Sequence, residues 1–383
     1  MPKIIIANND LELGGIQKSL IEFLRFLVAS GQFEIDLLLW DVSEALKEEI
    51  PVSVNIIKAG YSTTWRAVLS EKKLVRKVGL FREYFRYNYY SRIKKKPWLF
   101  YPEHQSRYDF AISYSHNGYP KFYVIDKIAA KQKIVWYHHG SYEAKGNVLK
   151  LDQEYFPKFD KIITVSPSNK EMLVKHFPQL KEKISVIPNI LDSDKIIAAS
   201  KRAVTDFKKE EGVLNFVTVS RFSKEKGIDL AINIAAELHK QQLQFKWYFI
   251  GDGECLPEIK NLIQQKNLEE VCLLLGNKKN PYPYMSMADF YIQTSYVESQ
   301  SITVNEALIL NKIVIATQLA PIKEALQNGK AGVLCAPKVE DFTEKINELI
   351  KNRKICEGFQ EALEKEKVNN EHAQKAIHQL LHF

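Results

Sequence analysis

Short apolar runs alternate with stretches of helical periodicity along this chain, and this alternation limits the folds that it can adopt. Runs rich in β-branched residues, each about one strand long, lie at 3–7, 33–39, 54–57, 110–114, 134–137, 161–165 and 184–187. A second set lies at 214–220, 246–250, 271–275, 290–293, 313–317 and 332–335. Helical patterns between them include 168–176, 227–239, 255–266 and 303–310. Strands that alternate with helices indicate parallel sheets covered on both faces, so an α/β fold is predicted.

The alternation stops once, and the gap divides the chain into two halves. Residues 191–212 are polar, include the charged run Lys208-Lys209-Glu210-Glu211 and contain no strand pattern. At roughly 100–200 residues per domain, a chain of 383 residues is long enough for more than one domain. We therefore predict one α/β domain over residues 1–190 and another over residues 213–360, joined by a linker at 191–212.

Composition excludes several classes of protein. Hydrophobic residues make up 45% and charged residues 26%, which is typical of globular proteins and excludes disordered and fibrous chains. No CxxC pair occurs, so we expect buried thiols in a reducing compartment at Cys255, Cys272, Cys335 and Cys356. The apolar run at 1–7 is too short for a signal peptide, and no window holds the about 18 apolar residues of a membrane span. These features predict a cytoplasmic protein.

The positive charge is concentrated in one segment. The net charge is +8, and residues 65–101 hold eleven Lys and Arg residues against Glu71 and Glu83, a local net of 11 − 2 = +9. An apolar stripe lies at helical spacing in this segment and consists of Leu74, Val78, Phe81 and Phe85. The stripe and the interleaved aromatic residues favour a helix that lies peripherally on an anionic membrane. The basic side chains expected to face the headgroups are Lys72, Lys73, Arg76, Lys77, Arg82 and Arg86. Nucleic-acid binding and a solvated helix docked on its domain are the alternatives.

Several chemistry-bearing groups follow predicted strands, where parallel sheets bind ligands. Gly14-Gly15 opens a helix and lets a bound group approach the backbone, although a tight turn would look the same. Arg221 and Lys226 share one loop and suit a diphosphate, whereas a solvated charged loop is the plain alternative. The Gly251-Asp252-Gly253 turn is half of a dinucleotide fingerprint and by itself indicates a turn.

Two carboxylates and a pair of histidines complete the set. Glu298 precedes a predicted helix that carries Glu306, and Ser301 or Thr303 is expected to cap that helix. Carboxylates at this position can accept hydrogen bonds from sugar or ribose hydroxyls while free N–H groups bind phosphate. His138-His139 follows the strand pattern at 134–137, and a structural histidine is the default interpretation of either. Asp192-Ser193-Asp194 has the form of a metal-binding DxD but is better explained as a helix cap, so no metal site is predicted.

The order of these motifs resembles that of family 4 glycosyltransferases, which have the GT-B architecture. The resemblance covers nearly the whole chain and depends on the sequences at 159–166, 187–189, 219–221, 250–253, 275–276, 280–284 and 298–308. It implies two Rossmann-like domains that face each other across a cleft, with the final segment, 361–383, packing back on the first domain.

The resemblance also implies a role for each matching residue. Arg221 and Lys226 would hold the donor diphosphate, Glu298 the donor sugar and Glu306 the ribose. Catalytic roles fall to Glu298, His138, Arg221 and Lys226. The remaining donor-binding positions are Gly15, Gly251, Gly276, Lys278, Ser301, Ile302 and Thr303, with Gly276 and Lys278 near the nucleobase. Ser299-Gln300 and Gln17 depart from the family pattern, and His139 beside His138 leaves open which imidazole faces the cleft.

The activity implied by the resemblance is the retaining transfer of a hexose or N-acetylhexosamine from a nucleotide diphosphate sugar, UDP-linked, to a lipid-linked glycan. The setting would be capsule or lipopolysaccharide synthesis at the inner face of the cell membrane, with no cofactor, no metal and no nucleic acid. The alternatives are a nucleotide-sugar epimerase or a sugar phosphorylase on the same architecture, and a non-catalytic scaffold subunit. Intact Arg221, Lys226, Glu298 and Glu306 argue against the scaffold.

Overall fold

The computed structural model describes residues 1–12, 14–41, 46–60, 65–365 and 369–382. In these residues the first domain has a seven-stranded parallel sheet in the order β3-β2-β1-β4-β5-β6-β7. Its strands are β1 (Lys3–Asn8), β2 (Glu34–Leu39), β3 (Asn55–Lys58), β4 (Arg107–Ser113), β5 (Ala129–Tyr137), β6 (Lys161–Thr164) and β7 (Ile184–Val186). The second domain has a six-stranded parallel sheet in the order β10-β9-β8-β11-β12-β13. Its strands are β8 (Leu214–Val219), β9 (Phe245–Ile250), β10 (Cys272–Gly276), β11 (Phe290–Gln293), β12 (Ile313–Thr317) and β13 (Gly332–Cys335).

Helices cover both faces of each sheet. Those of the first half are α1 (Gly15–Ser30), α2 (Trp65–Ser70), α3 (Leu74–Asn88), α4 (Pro120–Lys127), α5 (Gly146–Tyr155), α6 (Pro167–His176) and α7 (Ser193–Ser200). Those of the second half are α8 (Ile228–Lys240), α9 (Leu256–Gln265), α10 (Tyr282–Met287), α11 (Ile302–Ile309), α12 (Ala320–Ala325), α13 (Val339–Lys351), α14 (Arg353–Lys365) and α15 (Glu371–Leu381). The predicted fold of two Rossmann-like α/β domains is confirmed.

Alternating strand residues divide each domain into two cores. In β1, Ile4 and Ile6 pack with Leu20 and Leu24 of α1 on one face of the sheet. Ile5 and Ala7 belong to a separate core on the other face, which includes Phe122 of α4. The second domain has the same two-core arrangement. Burial of both faces explains why these strands are continuous apolar runs in the sequence.

Each sheet reverses its strand order at one place, and these places position the candidate site. The reversal falls between β1 and β4 in the first sheet and between β8 and β11 in the second. At such a switch point neighbouring connections leave the sheet on opposite faces, which opens a crevice at the carboxyl ends of the strands. The loops after β1 and β8 hold Gly14-Gly15 and Arg221, and the loop after β11 holds Glu298.

The connection between the domains contains a helix, as the capping interpretation of Asp192 requires, although the apolar pattern of this segment did not show it. α7 begins after Asp192, whose carboxylate accepts a hydrogen bond from the Lys195 backbone N–H at 2.9 Å. The capping interpretation of Asp192 is therefore correct. Near the carboxyl terminus, α15 packs Ala373, Ile377 and Leu381 into the core of the first domain.

The basic segment projects its apolar stripe into solvent. α3 has no buried residues, and Leu74 and Val78 are 76% and 60% exposed. The segment is held at its far end, where Arg86 donates a hydrogen bond to the Phe100 carbonyl at 2.8 Å and Trp98 is buried. The alternative in which this stripe docks on the domain is not what the structure shows. Within the described ranges, no helix combines the length and apolarity needed to cross a bilayer.

Candidate active site in the inter-domain cleft

Three glycine residues of the first domain lie close to the second domain. A Cβ atom built on Gly15 would lie 3.5 Å from Cδ1 of Ile302 in the second domain, and one on Gly14 would lie 3.9 Å from Nη2 of Arg221. A Cβ atom on Gly140 would lie 2.1 Å from the carbonyl oxygen of Glu298, closer than any side chain tolerates. The structure therefore brings together Gly15, Ile302, Arg221 and Glu298. Gly140 was missed, although its place directly after His138-His139 marked it.

The loop after β8 is anchored by its apolar residue and presents its cations to the cleft. Phe222 is fully buried, and its backbone N–H donates to the Asp252 carbonyl at 2.8 Å. A Cβ atom on Gly251 would lie 1.8 Å from the Ser220 carbonyl oxygen, so Gly251 permits the neighbouring loop to pack against this one. Arg221 remains exposed at the mouth of the cleft.

Lys226 and Glu298 form an ion pair inside the cleft. Lys226 Nζ lies 2.8 Å from Glu298 Oε1, and their side chains are 25% and 6% exposed. The same carboxylate oxygen accepts hydrogen bonds from Ser295 Oγ at 2.7 Å and Gln293 Nε2 at 3.2 Å. A buried carboxylate needs such partners, because its desolvation is otherwise costly. Sequence analysis missed Gln293 and Ser295, which hold this charge from the end of β11.

Glu306 lies deeper, in the first turns of α11. It is 1% exposed, and its Oε1 accepts a hydrogen bond from the Tyr282 hydroxyl at 2.8 Å. Burial raises the pKa of Tyr282, and the neighbouring Glu306 carboxylate, which accepts its hydrogen bond, raises it further. A cavity of about 460 Å³ opens beside Glu306 between the domains, with Lys18, Ile302 and Asn280 in its wall. Glu306 thus borders a space large enough for part of a nucleotide.

The loops and the helix at the cleft contain four buried polar atoms without a hydrogen-bond partner in the described structure. They are Ser220 Oγ, Ser301 Oγ, Glu306 Oε2 and His138 Nε2. Ser301 also adopts a left-handed backbone conformation, with φ of 54°, directly before α11. The expectation that Ser301 caps this helix is wrong, because its hydroxyl makes no capping bond. Unsatisfied buried groups are costly, and a polar ligand that bonds to them recovers part of that cost.

The two histidines have different environments. His138 is buried and packs against Tyr114, with ring centroids 4.8 Å apart and the rings tilted by 42°, and burial lowers its pKa to about 3. His139 instead reaches across the cleft, where its Nε2 lies 3.3 Å from Glu225 Oε1 of the second domain. The backbone N–H of His138 donates to Nδ1 of His116, a second buried imidazole that sequence analysis missed. Burial also lowers the pKa of His116 well below its usual value.

Two residues expected near the nucleobase lie outside this cluster of contacts. Lys278 Nζ is 2.7 Å from Asp206 Oδ2 of the linker, and it lies over the Tyr284 ring. Gly276 ends β10 with φ of 67° and has open space where a side chain would be. The neighbouring Lys279 lies in the wall of the cavity instead. The nucleobase role of Gly276 and Lys278 stays a prediction.

Two family models match the chain, one for each domain. The model described as Glycosyltransferase Family 4 matches residues 13–195, and the model described as Glycosyl transferases group 1 matches residues 200–366. Together with the two facing Rossmann-like domains, these matches place the chain among the GT-B glycosyltransferases. It belongs to glycosyltransferase family 4.

The individual relatives match only part of their own length. An uncharacterized glycosyltransferase of Methanocaldococcus jannaschii is 30% identical over 186 residues, which are 47% of this chain and 45% of that protein. The N-acetylgalactosamine-N,N'-diacetylbacillosaminyl-diphospho-undecaprenol 4-alpha-N-acetylgalactosaminyltransferase of Campylobacter jejuni is 32% identical over 162 residues, 42% of each protein. The chain spans less than half the length of these curated relatives.

Solved structures extend the likeness of the fold to the whole chain. A mutant of TarM from S. aureus, in complex with Fondaparinux, alpha-GlcNAc-glycerol and UDP, superimposes with a TM-score of 0.72. The superposition covers 99% of this chain and 98% of that one at 15% sequence identity. At this identity the likeness shows the fold alone.

The buried imidazole predicts a pH dependence of stability. The folded pKa of His138, about 3, lies below the unfolded value of 6.5, so the unfolded state binds more protons between these values. Stability should therefore fall as the pH drops below 6.5, by about 1.4 kcal/mol per pH unit for this group. The slope of the unfolding free energy against pH reports how many more protons the unfolded state binds. Replacing His138 with Gln should reduce that number by up to one.

The measurement is urea unfolding between pH 7 and pH 5. The control is His239→Gln on α8, an exposed histidine, and His138→Gln should lower the slope more than this control does. A His138→Gln variant with the wild-type slope would contradict the buried, neutral state of this imidazole.

Proposed function

We propose that the protein transfers a hexose or N-acetylhexosamine from a nucleoside diphosphate sugar, UDP-linked, to an acceptor hydroxyl. The observation that carries the proposal is the convergence of Arg221, Lys226, Glu298 and Glu306 on the cleft beside Gly14-Gly15. The cations match a diphosphate, and the carboxylates match sugar and ribose hydroxyls. Family membership supports this activity, and the UDP in the TarM complex supports the choice of nucleotide.

The proposed chemistry depends on stabilising the departing diphosphate. Arg221 and Lys226 would neutralise the charge that develops on it, together with the N–H groups at Ser301, Ile302 and Thr303. Lys226 is already held in the cleft by Glu298, so little reorganisation is needed when the diphosphate arrives. We propose retention of anomeric configuration, without a side-chain nucleophile and without a metal.

Glu298 and His138 would orient the sugar. Glu298 is fixed by Gln293 and Ser295 and can accept hydrogen bonds from sugar hydroxyls through its remaining oxygen. The Nε2 atom of His138, which has no partner in the described structure, is neutral at physiological pH and suits a hydrogen bond rather than charge stabilisation. Orientation of this kind contributes to rate by reducing the entropy lost at the transition state.

We propose a lipid-linked glycan as acceptor and the anionic inner face of the cell membrane as the place of reaction. The Campylobacter jejuni relative is named for a diphospho-undecaprenol-linked acceptor, which supports this choice. The exposed stripe of α3 and the basic side chains around it supply the apolar and charged components of a membrane-binding helix. Capsule or lipopolysaccharide synthesis would be the setting.

A donor screen tests the activity. UDP and GDP sugars would be incubated with and without a membrane-extracted acceptor, and release of the nucleoside diphosphate would be followed. Acceptor-dependent UDP release that survives excess EDTA is expected. Interconversion of nucleotide sugars without release would indicate an epimerase, and phosphate-dependent release of a sugar phosphate would indicate a phosphorylase. Either result would overturn the proposal.

The two carboxylates should separate in their kinetic effects. Glu298→Gln removes a charged group beside the reacting sugar and should lower kcat by roughly 10- to 100-fold with a small change in donor KM. Glu306→Gln should raise donor KM more than it lowers kcat, because a ribose contact is similar in the ground and transition states. Steady-state kinetics of both variants would be compared with Glu258→Gln, an exposed acid on α9. Effects in the opposite order would contradict the assigned roles.

The basic segment should bind anionic vesicles. Each basic residue near the surface contributes about 1 kcal/mol, and the attraction decays over a Debye length of about 8 Å at physiological salt. Changing Lys72, Lys73, Arg76 and Lys77 to Glu should therefore abolish co-sedimentation with anionic liposomes. Transfer to a water-soluble acceptor analogue should stay near normal.

A matched charge change elsewhere controls for net charge. Lys240, Lys260, Lys351 and Lys354 are exposed on helices of the second domain, and their replacement by Glu should leave vesicle binding largely intact. Equal binding of the wild-type protein to neutral and anionic vesicles would contradict the membrane surface. Stronger binding to nucleic acid than to vesicles would favour the rival partner.

A further inference from the structure

Helix α1 of the first domain directs a cation at the second domain. Lys18 Nζ lies 3.8 Å from Glu306 Oε1 and 5.4 Å from the centroid of the Tyr282 ring. Both partners belong to the second domain, and the Lys18 side chain is 28% exposed in the wall of the cavity between the domains. A distance of 3.8 Å is an ion-pair contact, longer than a direct hydrogen bond.

Glu306 depends on this contact for its charge compensation. Its side chain is 2% exposed, and Lys18 is the cation that lies within 4 Å of its carboxylate among the described residues. Tyr282 supplies a neutral hydrogen bond to Oε1, while Oε2 has no partner. An isolated buried carboxylate is unfavourable, so a cation from the opposite domain offsets part of the cost of burying it.

The neighbouring residue makes a second connection between the same elements. Ser19 Oγ donates to Asn189 Oδ1 at 2.5 Å, and the Asn189 backbone N–H donates to Gln300 Oε1 at 2.8 Å. Gln300 precedes Ser301, and Glu306 lies one and a half turns further on. Consecutive residues of α1 are therefore connected to both ends of the 300–306 segment, which carries the N–H groups and carboxylate expected to bind the nucleotide.

We propose that Lys18 is a positioning residue for the donor nucleotide. It acts through Glu306, whose carboxylate it contacts and orients toward the ribose, and it couples the approach of α1 to occupancy of the nucleotide pocket. The proposal rests on the proposed function, since Glu306 is taken to bind the ribose. The contact between Glu306 and the ribose is expected to be similar in the ground state and the transition state. Loss of Lys18 should therefore weaken nucleotide binding more than it lowers kcat.

Lys18→Met tests this role, because Met keeps an unbranched apolar side chain of similar length and removes the charge that lies near Glu306 and the Tyr282 ring. UDP affinity, measured by calorimetry, should fall roughly tenfold, and donor KM should rise to match, with kcat within about twofold of wild type. Lys18→Arg should recover most of the affinity. Thermal unfolding of each variant shows whether it folds normally.

Lys195→Met is the matched control. Lys195 lies in the wall of the same cavity, but its Nζ contacts Glu22 and Glu49 rather than Glu306, and Arg25 still contacts both of these carboxylates when Lys195 is lost. UDP affinity should fall clearly less in this variant than in Lys18→Met. An equal loss in Lys18→Met and Lys195→Met would mean that only the general positive potential of the cavity matters, and it would overturn the proposal.

A double-mutant cycle of Lys18→Met with Glu306→Gln, measured as UDP affinity, shows whether Lys18 acts through Glu306 or independently of it. In the Glu306→Gln background, Lys18→Met should cause little further loss of UDP affinity, because the charge on which Lys18 acts is absent. Additive losses, or an unchanged affinity in Lys18→Met alone, would overturn the role of Lys18 while leaving the proposed function intact. A wild-type protein that binds neither UDP nor a UDP-sugar would overturn the proposed function and this inference with it.

Discussion

The candidate site is organised around one buried negative charge. The Glu298 carboxylate is 6% exposed and is compensated by Lys226, Ser295 and Gln293. Lys226 comes from the loop after β8, whereas the other groups come from β11 and the loop that follows it. The need to compensate this charge therefore fixes two loops relative to each other at the switch point of the second sheet. It also holds the Lys226 ammonium in the cleft, where the proposed mechanism places the diphosphate.

The first domain completes the site by packing directly against the loops of the second domain that carry Glu298 and Ile302. Gly140 lies so close to the Glu298 backbone that no Cβ atom fits, and a Cβ atom on Gly15 would lie in van der Waals contact with Ile302. Polar contacts surround these approaches, including His139 with Glu225 and the Ser168 backbone N–H with Glu324. Glycine therefore serves here to bring two domains together as well as to leave space for a ligand. The cleft in this structure is a set of direct contacts between the two strand-end surfaces, with a cavity beside Glu306.

The sequence predicted the sheets well because their strands are buried on both faces. β8, β11, β12 and β13 match their apolar runs to within one residue. β5 begins at Ala129, earlier than expected, because its first half is polar and partly exposed, as at Gln132 and Lys133. α7 was indicated only by the capping interpretation of Asp192, because its apolar pattern is short. Its Ile196 is buried against Leu191, just before the helix, and Ile309 of the second domain. Local periodicity cannot reveal a helix that tertiary contacts stabilise.

The sequence identified some residues of the candidate site, whereas others became recognisable only in the structure. Arg221, Lys226, Glu298 and Glu306 were found because they follow strands in a recognisable order. His116, Gly140 and Lys18 were not, because their partners lie far away in the sequence. Gln293 and Ser295 lie close to Glu298 in the sequence, but only the folded chain shows that their side chains bond to its carboxylate. Ser301 shows the reverse error: its type suggested a helix cap, but a left-handed backbone leaves its hydroxyl without a capping bond. Residue type and spacing identify ligand-binding groups, whereas the groups that hold them require the fold.

The central claim is that the cleft binds a nucleoside diphosphate through the cations of the second domain. Arg221 tests it most directly, since it is exposed at the cleft and its replacement should not disturb folding. A charge-assisted contact of about 1.5–3 kcal/mol predicts that Arg221→Ala weakens UDP binding by roughly one to two decades in isothermal titration calorimetry. UDP affinity equal to that of the wild-type protein, in a variant with an unchanged Tm, would contradict the account.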